Sequence, residues 1–205
     1  MYTPKDYQQT DTDQIEEFIK KYSFASLISV NNTNPLLTHL PFIAEKKGEK
    51  LKLYTHLAKA NPHSKFLSEQ SVLIVFTGPQ AYISSTWYTN KRNVSTWNYT
   101  AVHVSGIAHL MEGADEIATL LNKTVAYYEN GNITHHQELP EEYKTAMAKE
   151  IVGIEIEIKN IEAKFKLSQN KPKEDIRSVI DHLKQDSTNI PLIDLMLKEN
   201  KEKLK

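Results

Sequence analysis

Cysteine is absent from the 205 residues, which excludes a disulfide framework, a thiol nucleophile, a Cys-ligated zinc and an iron–sulfur cluster. Long apolar runs are also missing: no stretch reaches the roughly 18 residues of a membrane-crossing helix, and residues 1–20 lack the apolar core of a secretory signal. The expectation is a cytoplasmic, non-membrane protein. Neither charge is in excess, with 25 Lys+Arg against 26 Asp+Glu. That balance argues against a protein whose main business is coating nucleic acid, because neutralising phosphates takes a basic surplus. A mild positive bias lies upstream, where residues 1–110 carry 11 Lys+Arg, 8 Asp+Glu and five of the eight His. No G-x-S-x-G elbow, Walker loop or G-x-G-x-x-G fingerprint occurs, so the usual hydrolase and nucleotide signatures are absent.

What remains is 40% hydrophobic residues, enough to bury one sizeable core. Asp11 to Asp13 can cap a helix running through Ile15, Phe18 and Ile19 to Lys21. Phe24–Val30 and Pro35–Ala44 read as a hairpin around the turn residues Asn31-Asn32-Thr33-Asn34. Leu51–His56, Ser71–Thr77 and Val94–Met111 read as further strands. Helical periodicity follows at Ile117, Leu121, Thr124 and Tyr128, and Pro140 opens a shorter helix. Ile154–Ile158 alternates with period two, with Ala163–Leu167 as its expected partner. Two helices close the chain. The sum is an α+β fold: an antiparallel barrel of six or seven strands, residues 1–170, with peripheral helices, and a C-terminal helical hairpin, residues 171–205, packed on it.

Three segments look overspecified for packing. Thr38-His39 and Thr55-His56, the latter followed by Lys59 and Asn61, would gather hydroxyls, imidazoles and an ammonium at one donor-rich spot suited to a phosphate; the plain alternative is strand threonines with histidines at exposed strand ends. Both tryptophans and three of the ten tyrosines fall in residues 82–99. Such rings suit a planar ligand, a subunit interface or a core cluster. In Lys164-Phe165-Lys166, period two sends both ammonium groups to one face, which is either a cationic site or a solvated edge. The eight His show no metal-ligand spacing, His135 and His136 being adjacent and His39, His56 and His103 dispersed, so no metal is expected. The last two helices lack the side chains of a recognition helix, and direct base reading is not expected.

Met1-Tyr2-Thr3-Pro4-Lys5, THLPF at 38–42, THLAKANPH at 55–63, VFTGPQAYISSTWY at 75–88, STWNYTAVHVSG at 95–106, IVGIEIEI at 151–158 and KFKLSQN at 164–170 together resemble the PaiB family of FMN-binding negative transcriptional regulators. The resemblance spans nearly the whole chain. It implies an FMN-binding split β-barrel working as a homodimer with flavin at the subunit interface, and DNA as a partner whose direct contact no residue set here supports. It assigns Thr38, His39, Thr55, His56, Lys59 and Asn61 to the flavin phosphate, and Trp97, Asn98 and Tyr99 to the isoalloxazine or the interface. Lys59 stands where the family often has Arg, which keeps the charge and loses the bidentate fork. Ala163 and Phe165 replace a common Gly and Trp in the last motif, while Lys166 and Gln169 remain, Lys166 being expected near the N1 edge of the flavin. The competing reading is a flavin-dependent oxidoreductase acting on a small planar substrate. No residue is an unambiguous catalytic acid or base, although His39, His56 and Tyr99 could serve.

Overall fold

A computed structural model describes residues 1–48 and 50–205. Asp11 caps the first helix, α1 (Thr12–Lys21), by accepting from the amides of Asp13 and Gln14 at 3.0 and 3.1 Å. The strands β2 (Phe24–Asn31) and β3 (Asn34–Pro41) then pair antiparallel from Phe24↔Pro41 to Asn31↔Asn34, closed by a two-residue turn in which Asn32 takes a φ of +55°. Pro35 is tolerated because β3 ends the strand order and has an unpaired edge. The sequence reading of one strand from Pro35 to Ala44 is corrected here: the chain breaks at Phe42, and β4 (Ile43–Lys47) pairs instead with β5 (Lys50–Ala58).

β6 (Gln70–Ile83) and β7 (Thr96–Met111) are longer than periodicity suggested. Ala114–Tyr128 forms α2, followed by α3 (Thr134–Glu138) and α4 (Glu141–Lys149). Residues 151–166 are a second correction: the expected pair of short strands is one strand, β8 (Ile151–Lys166). Lys159-Asn160-Ile161-Glu162 holds no Gly or Pro to turn on, so extended geometry runs through. With a two-residue β1 (Gln8–Gln9) on β8, eight strands stand in the order β3-β2-β6-β7-β8-β5-β4, and among the described residues no pairing closes β3 onto β4. The antiparallel sheet is thus split between β3 and β4 rather than continuous all the way round.

The chain forms two compact units. The first comprises Met1–Phe18, Thr77–Val102 and Glu162–Lys205. Its core joins Phe18 and Phe165, ring centroids 5.1 Å apart, to Leu167 and the buried faces of α5 (Lys173–Leu183) and α6 (Ile190–Glu199), before the short α7 (Lys201–Leu204). Asp175 on α5 accepts from the amide and hydroxyl of Thr89 at 2.8 and 2.7 Å, and His182 stacks on Trp87 at 5.0 Å. The C-terminal helices are thus seated by polar contacts as well as by apolar burial.

The second unit comprises Ile19–Phe76 and His103–Ile161. Leu27, Phe42, Leu53, Ile74, Phe76, Ile154 and Ile156 are fully buried in it. Gly106 is required there by close approach, since a Cβ would lie 2.5 Å from the Glu157 carbonyl oxygen.

Candidate functional site

In the first unit, period two along the end of β8 puts Lys164 and Lys166 on one face and turns Phe165 into the core. The buried Lys164 ammonium donates to the Tyr2 carbonyl at 3.1 Å and lies 5.3 Å from the Tyr99 ring centre. Lys166 donates to Thr96 Oγ1 and sits 5.9 Å from the Tyr7 ring centre. After the strand, Lys171 reaches Asn93 and hangs 4.6 Å above the Tyr88 ring centre. A hollow of about 140 Å³ collects these groups, with Lys166, Lys171, Tyr7, Tyr88, Thr96 and Asn98 on its wall.

Burial pushes the Lys166 ammonium below the ordinary lysine range, and the charges of Lys164 and Lys171 push it further. Burial, with Asp175 and Tyr7 adding to it, pushes the Tyr88 phenol up, so it stays a neutral donor. Tyr88 Oη is buried without a hydrogen-bond partner, a costly state for a hydroxyl that a ligand on the hollow would relieve.

The turn behind Lys166 is held by Gln169. Its Oε1 accepts from the Leu167 amide at 2.7 Å and its Nε2 donates to the Phe165 carbonyl. Both polar ends of Gln169 are therefore engaged with their own turn. Buried Ser168 adopts φ +66° and accepts from Asn98 Nδ2 at 2.8 Å. Asn98 is thereby fixed on the wall, whereas Trp97, one residue earlier on β7, is 51% exposed and meets Tyr82 edge to face at 6.0 Å.

In the second unit, the Thr-His pairs do not converge, because neighbours on a strand face opposite ways. Thr38 points inward, where its Oγ1 is 2.8 Å from His63 Nδ1 and 3.4 Å from Asn61 Nδ2. His39 points outward, exposed, with its Nδ1 3.0 Å from Ser26 Oγ. Thr55 is buried, donating its hydroxyl to the Pro41 carbonyl at 2.7 Å. The half-buried His56 lies on the other face of β5, its imidazole pushed below the usual range by burial. Lys59 is exposed and lines a separate cavity against α2 and α4.

The buried imidazole of His63, absent from the sequence-derived set, is bonded at both nitrogens, to Thr38 and, at 2.8 Å, to Ser29 Oγ. Asn61 caps the 3-10 turn Pro62–Phe66 by accepting from the His63 amide at 3.0 Å, which fixes the ring's position. The signal was within reach, since His63 directly follows Asn61-Pro62. Tyr88 and Lys171 were missed for a different reason: only folding places them beside Lys166.

Residues 1–160 match the family described as "Putative FMN-binding domain". The chain is 36% identical over 189 residues to the Bacillus subtilis protein "Protease synthase and sporulation protein PAI 2", covering 91% of this chain and 90% of that one. The chain belongs to the PaiB family. The 164–170 motif lies beyond the family-matched span. Among solved structures, the FAD- and heme-binding protein of Mycobacterium smegmatis aligns with a TM-score of 0.62 at 15% identity, over 84% of this chain and 80% of that one. The flavocytochrome Anf3 of Azotobacter vinelandii aligns at 0.57 and 15% identity, over 78% and 69%. These likenesses establish the fold, that of the flavoprotein split barrels. Among the described residues no helix is long and apolar enough to cross a membrane.

A hollow of about 140 Å³ is smaller than the ~300 Å³ or more of pockets that enclose a whole drug-sized ligand. Its wall nevertheless fits an electron-rich flavin edge: two ammonium groups, a buried amide and a phenol lacking a partner.

Proposed function

We propose that this chain binds FMN as a cytoplasmic homodimer and acts as a negative transcriptional regulator of PaiB type. The observation that carries flavin binding is the Lys166–Lys171–Tyr88 hollow within a chain of the FMN-binding family. Bound FMN would supply electron-transfer capacity. Lys166 would place positive charge at the N1 edge and favour the reduced ring, Tyr88 would donate its idle proton, and Asn98, fixed by Ser168, would hold the wall against which the ring lies.

In the second unit, Thr38 and Asn61 are proposed for the phosphate, with His63 orienting the Thr38 hydroxyl. Lys59, on the same turn as Asn61, is the proposed counter-charge. Trp97 and Tyr99 are proposed as surfaces for the isoalloxazine or the partner subunit; Gln169 acts through the turn it holds. The outward faces of β2 and β3 support the homodimer, since Phe24, Val30 and Leu37 are more than half exposed there and an apolar face of this kind marks an interaction surface.

The test is a titration of purified protein with FMN, followed by flavin fluorescence quenching and the visible spectrum. Stoichiometric binding weakened about tenfold by Lys166→Ala, some 1.4 kcal/mol, is the expected result. No binding at tens of micromolar FMN would overturn the flavin reading. The exposed Trp97–Tyr82 pair favours one alternative, an oxidoreductase that stacks a planar substrate on these rings. Turnover of NADH or NADPH by the loaded protein would select it, whereas salt-sensitive binding to a promoter fragment would select the regulator.

A further inference from the structure

The inserted helices of the second unit enclose a cavity of about 330 Å³ that the flavin reading does not use. Its floor is apolar: Ile117, Ala118 and Leu121 come from α2, and Ala148 and Ile151 from the junction of α4 with β8. Gly153 lets α2 lie directly against β8, because a Cβ there would come within 2.7 Å of Leu120 and 3.2 Å of Ile117. The floor is thus held by close packing.

The lining also carries cations. Lys59 and Lys149 both line it, and the amide of Lys59 donates to the carbonyl of Glu150 at 2.8 Å, so two adjacent chain segments bring these lysines together. Among the described residues neither ammonium has a hydrogen-bond or ion-pair partner. Lys144, also on the wall, is already paired with Glu141. With Glu112 the only other carboxylate on the lining, three ammonium groups face two carboxylates, leaving one positive charge net.

We infer that this cavity binds a small monoanion with an apolar body, a medium-chain or aromatic monocarboxylate, its tail on the α2–α4 floor and its carboxylate between Lys59 and Lys149. The volume is that of a small-molecule pocket, with an apolar floor to take a tail and polar and charged groups around it to orient a head group. A dianion such as a phosphate monoester fits less well, since Glu112 and Glu141 oppose a second negative charge and no arginine fork is present.

Calorimetric titration with octanoate, 1-octanol and octyl phosphate tests the assignment. Lys59 is also proposed for the flavin phosphate, so the variants are Lys149→Glu, which reverses a charge at the rim, and Ala118→Phe, which fills the floor. Both positions are exposed, and an unchanged thermal midpoint checks the fold. One octanoate per chain is expected, about tenfold tighter than octanol or octyl phosphate, weakened about tenfold by Lys149→Glu and blocked by Ala118→Phe. Absence of binding at millimolar octanoate, equal affinity for octanol or octyl phosphate, or indifference to both substitutions would each overturn the proposal. The octanoate result stands whether or not FMN binds elsewhere.

Discussion

His63 Nδ1 and Thr38 Oγ1 lie 2.8 Å apart, and the other ring nitrogen of His63 is engaged by Ser29. A neutral imidazole has one donor and one acceptor nitrogen, and two hydroxyls can satisfy both. Burial accordingly holds the ring below its ordinary pKa. The unfolded chain takes up this proton near pH 6.5, before the folded protein does. Stability is therefore complete above about pH 6.5 and is lost as the pH falls below it, where the unfolded state binds more protons.

His56 adds to that slope, its pKa also lowered by burial, whereas His109, raised by its bond to Glu69, opposes it. The contribution of His63 is thus the difference between wild type and His63→Gln. That variant should lose about 1–3 kcal/mol at pH 7.5 in denaturant titrations and show a shallower decline between pH 7 and 5. An unchanged slope would mean that His63 titrates as in the unfolded chain.

Tyr88→Phe removes a buried hydroxyl that has no partner. Without FMN the variant should be as stable as wild type or more stable by about 1 kcal/mol, since an unsatisfied donor is deleted and little packing is lost. With FMN the order should reverse, the variant binding more weakly. Thermal melts with and without FMN measure both effects, and equal FMN affinity would remove Tyr88 from the site.

Gln169→Ala frees the Leu167 amide and the Phe165 carbonyl that the side chain bridges. A loss of about 1–2 kcal/mol is expected from two hydrogen bonds at a half-buried turn. If the turn also aims Lys166, flavin affinity and reduction potential should shift in the direction seen for Lys166→Ala, which lowers the potential. A loss of stability with the potential unchanged would confine Gln169 to the fold.

Gly106→Ala would drive a Cβ against the backbone oxygen of Glu157 and the Ile156 side chain, at 2.5 and 2.8 Å. The backbone cannot step aside cheaply, so a destabilisation of about 1–3 kcal/mol is expected. Gly78→Ala would first meet the side chains of Thr100 and Phe18, which can shift where a backbone oxygen cannot, and should cost less. The relative thermal midpoints of the two variants decide the order.

Leu37→Lys places a charge on the exposed apolar face of β3, opposite Ile28 on β2. If this face joins two copies, light scattering should show a monomer, because an unpaired buried ammonium is strongly disfavoured at such an interface. A dimer of undiminished stability would place the interface elsewhere.

Much of the architecture was legible in local pattern. The Asn-rich turn at 31–34 announced the β2–β3 hairpin, and Lys164-Phe165-Lys166 announced two cations on one face; both follow from the two-residue period of a strand, which needs no knowledge of neighbours. Where the chain runs straight on was less legible. Residues 159–162 carry β8 through, and Phe42 breaks an expected strand, since pairing partners distant in sequence decide where a strand ends. The Thr-His pairs show the limit within one dipeptide: the period that makes a strand also sends Thr38 and His39 to opposite faces.

Composition and words of sequence by themselves determined the absence of cysteine chemistry, the α+β class, the PaiB family and the residue types available for an anionic ligand. Tertiary structure alone decided which of them meet. It placed Tyr88 and Lys171 beside Lys166, bonded His63 between Ser29 and Thr38, and directed Lys59 to a cavity against α2 and α4. The physical reason is that hydrogen bonds and charge interactions act over a few ångströms, and residues as far apart in the chain as Tyr7, Tyr88 and Lys166 come within that range only when the strands and helices that carry them pack.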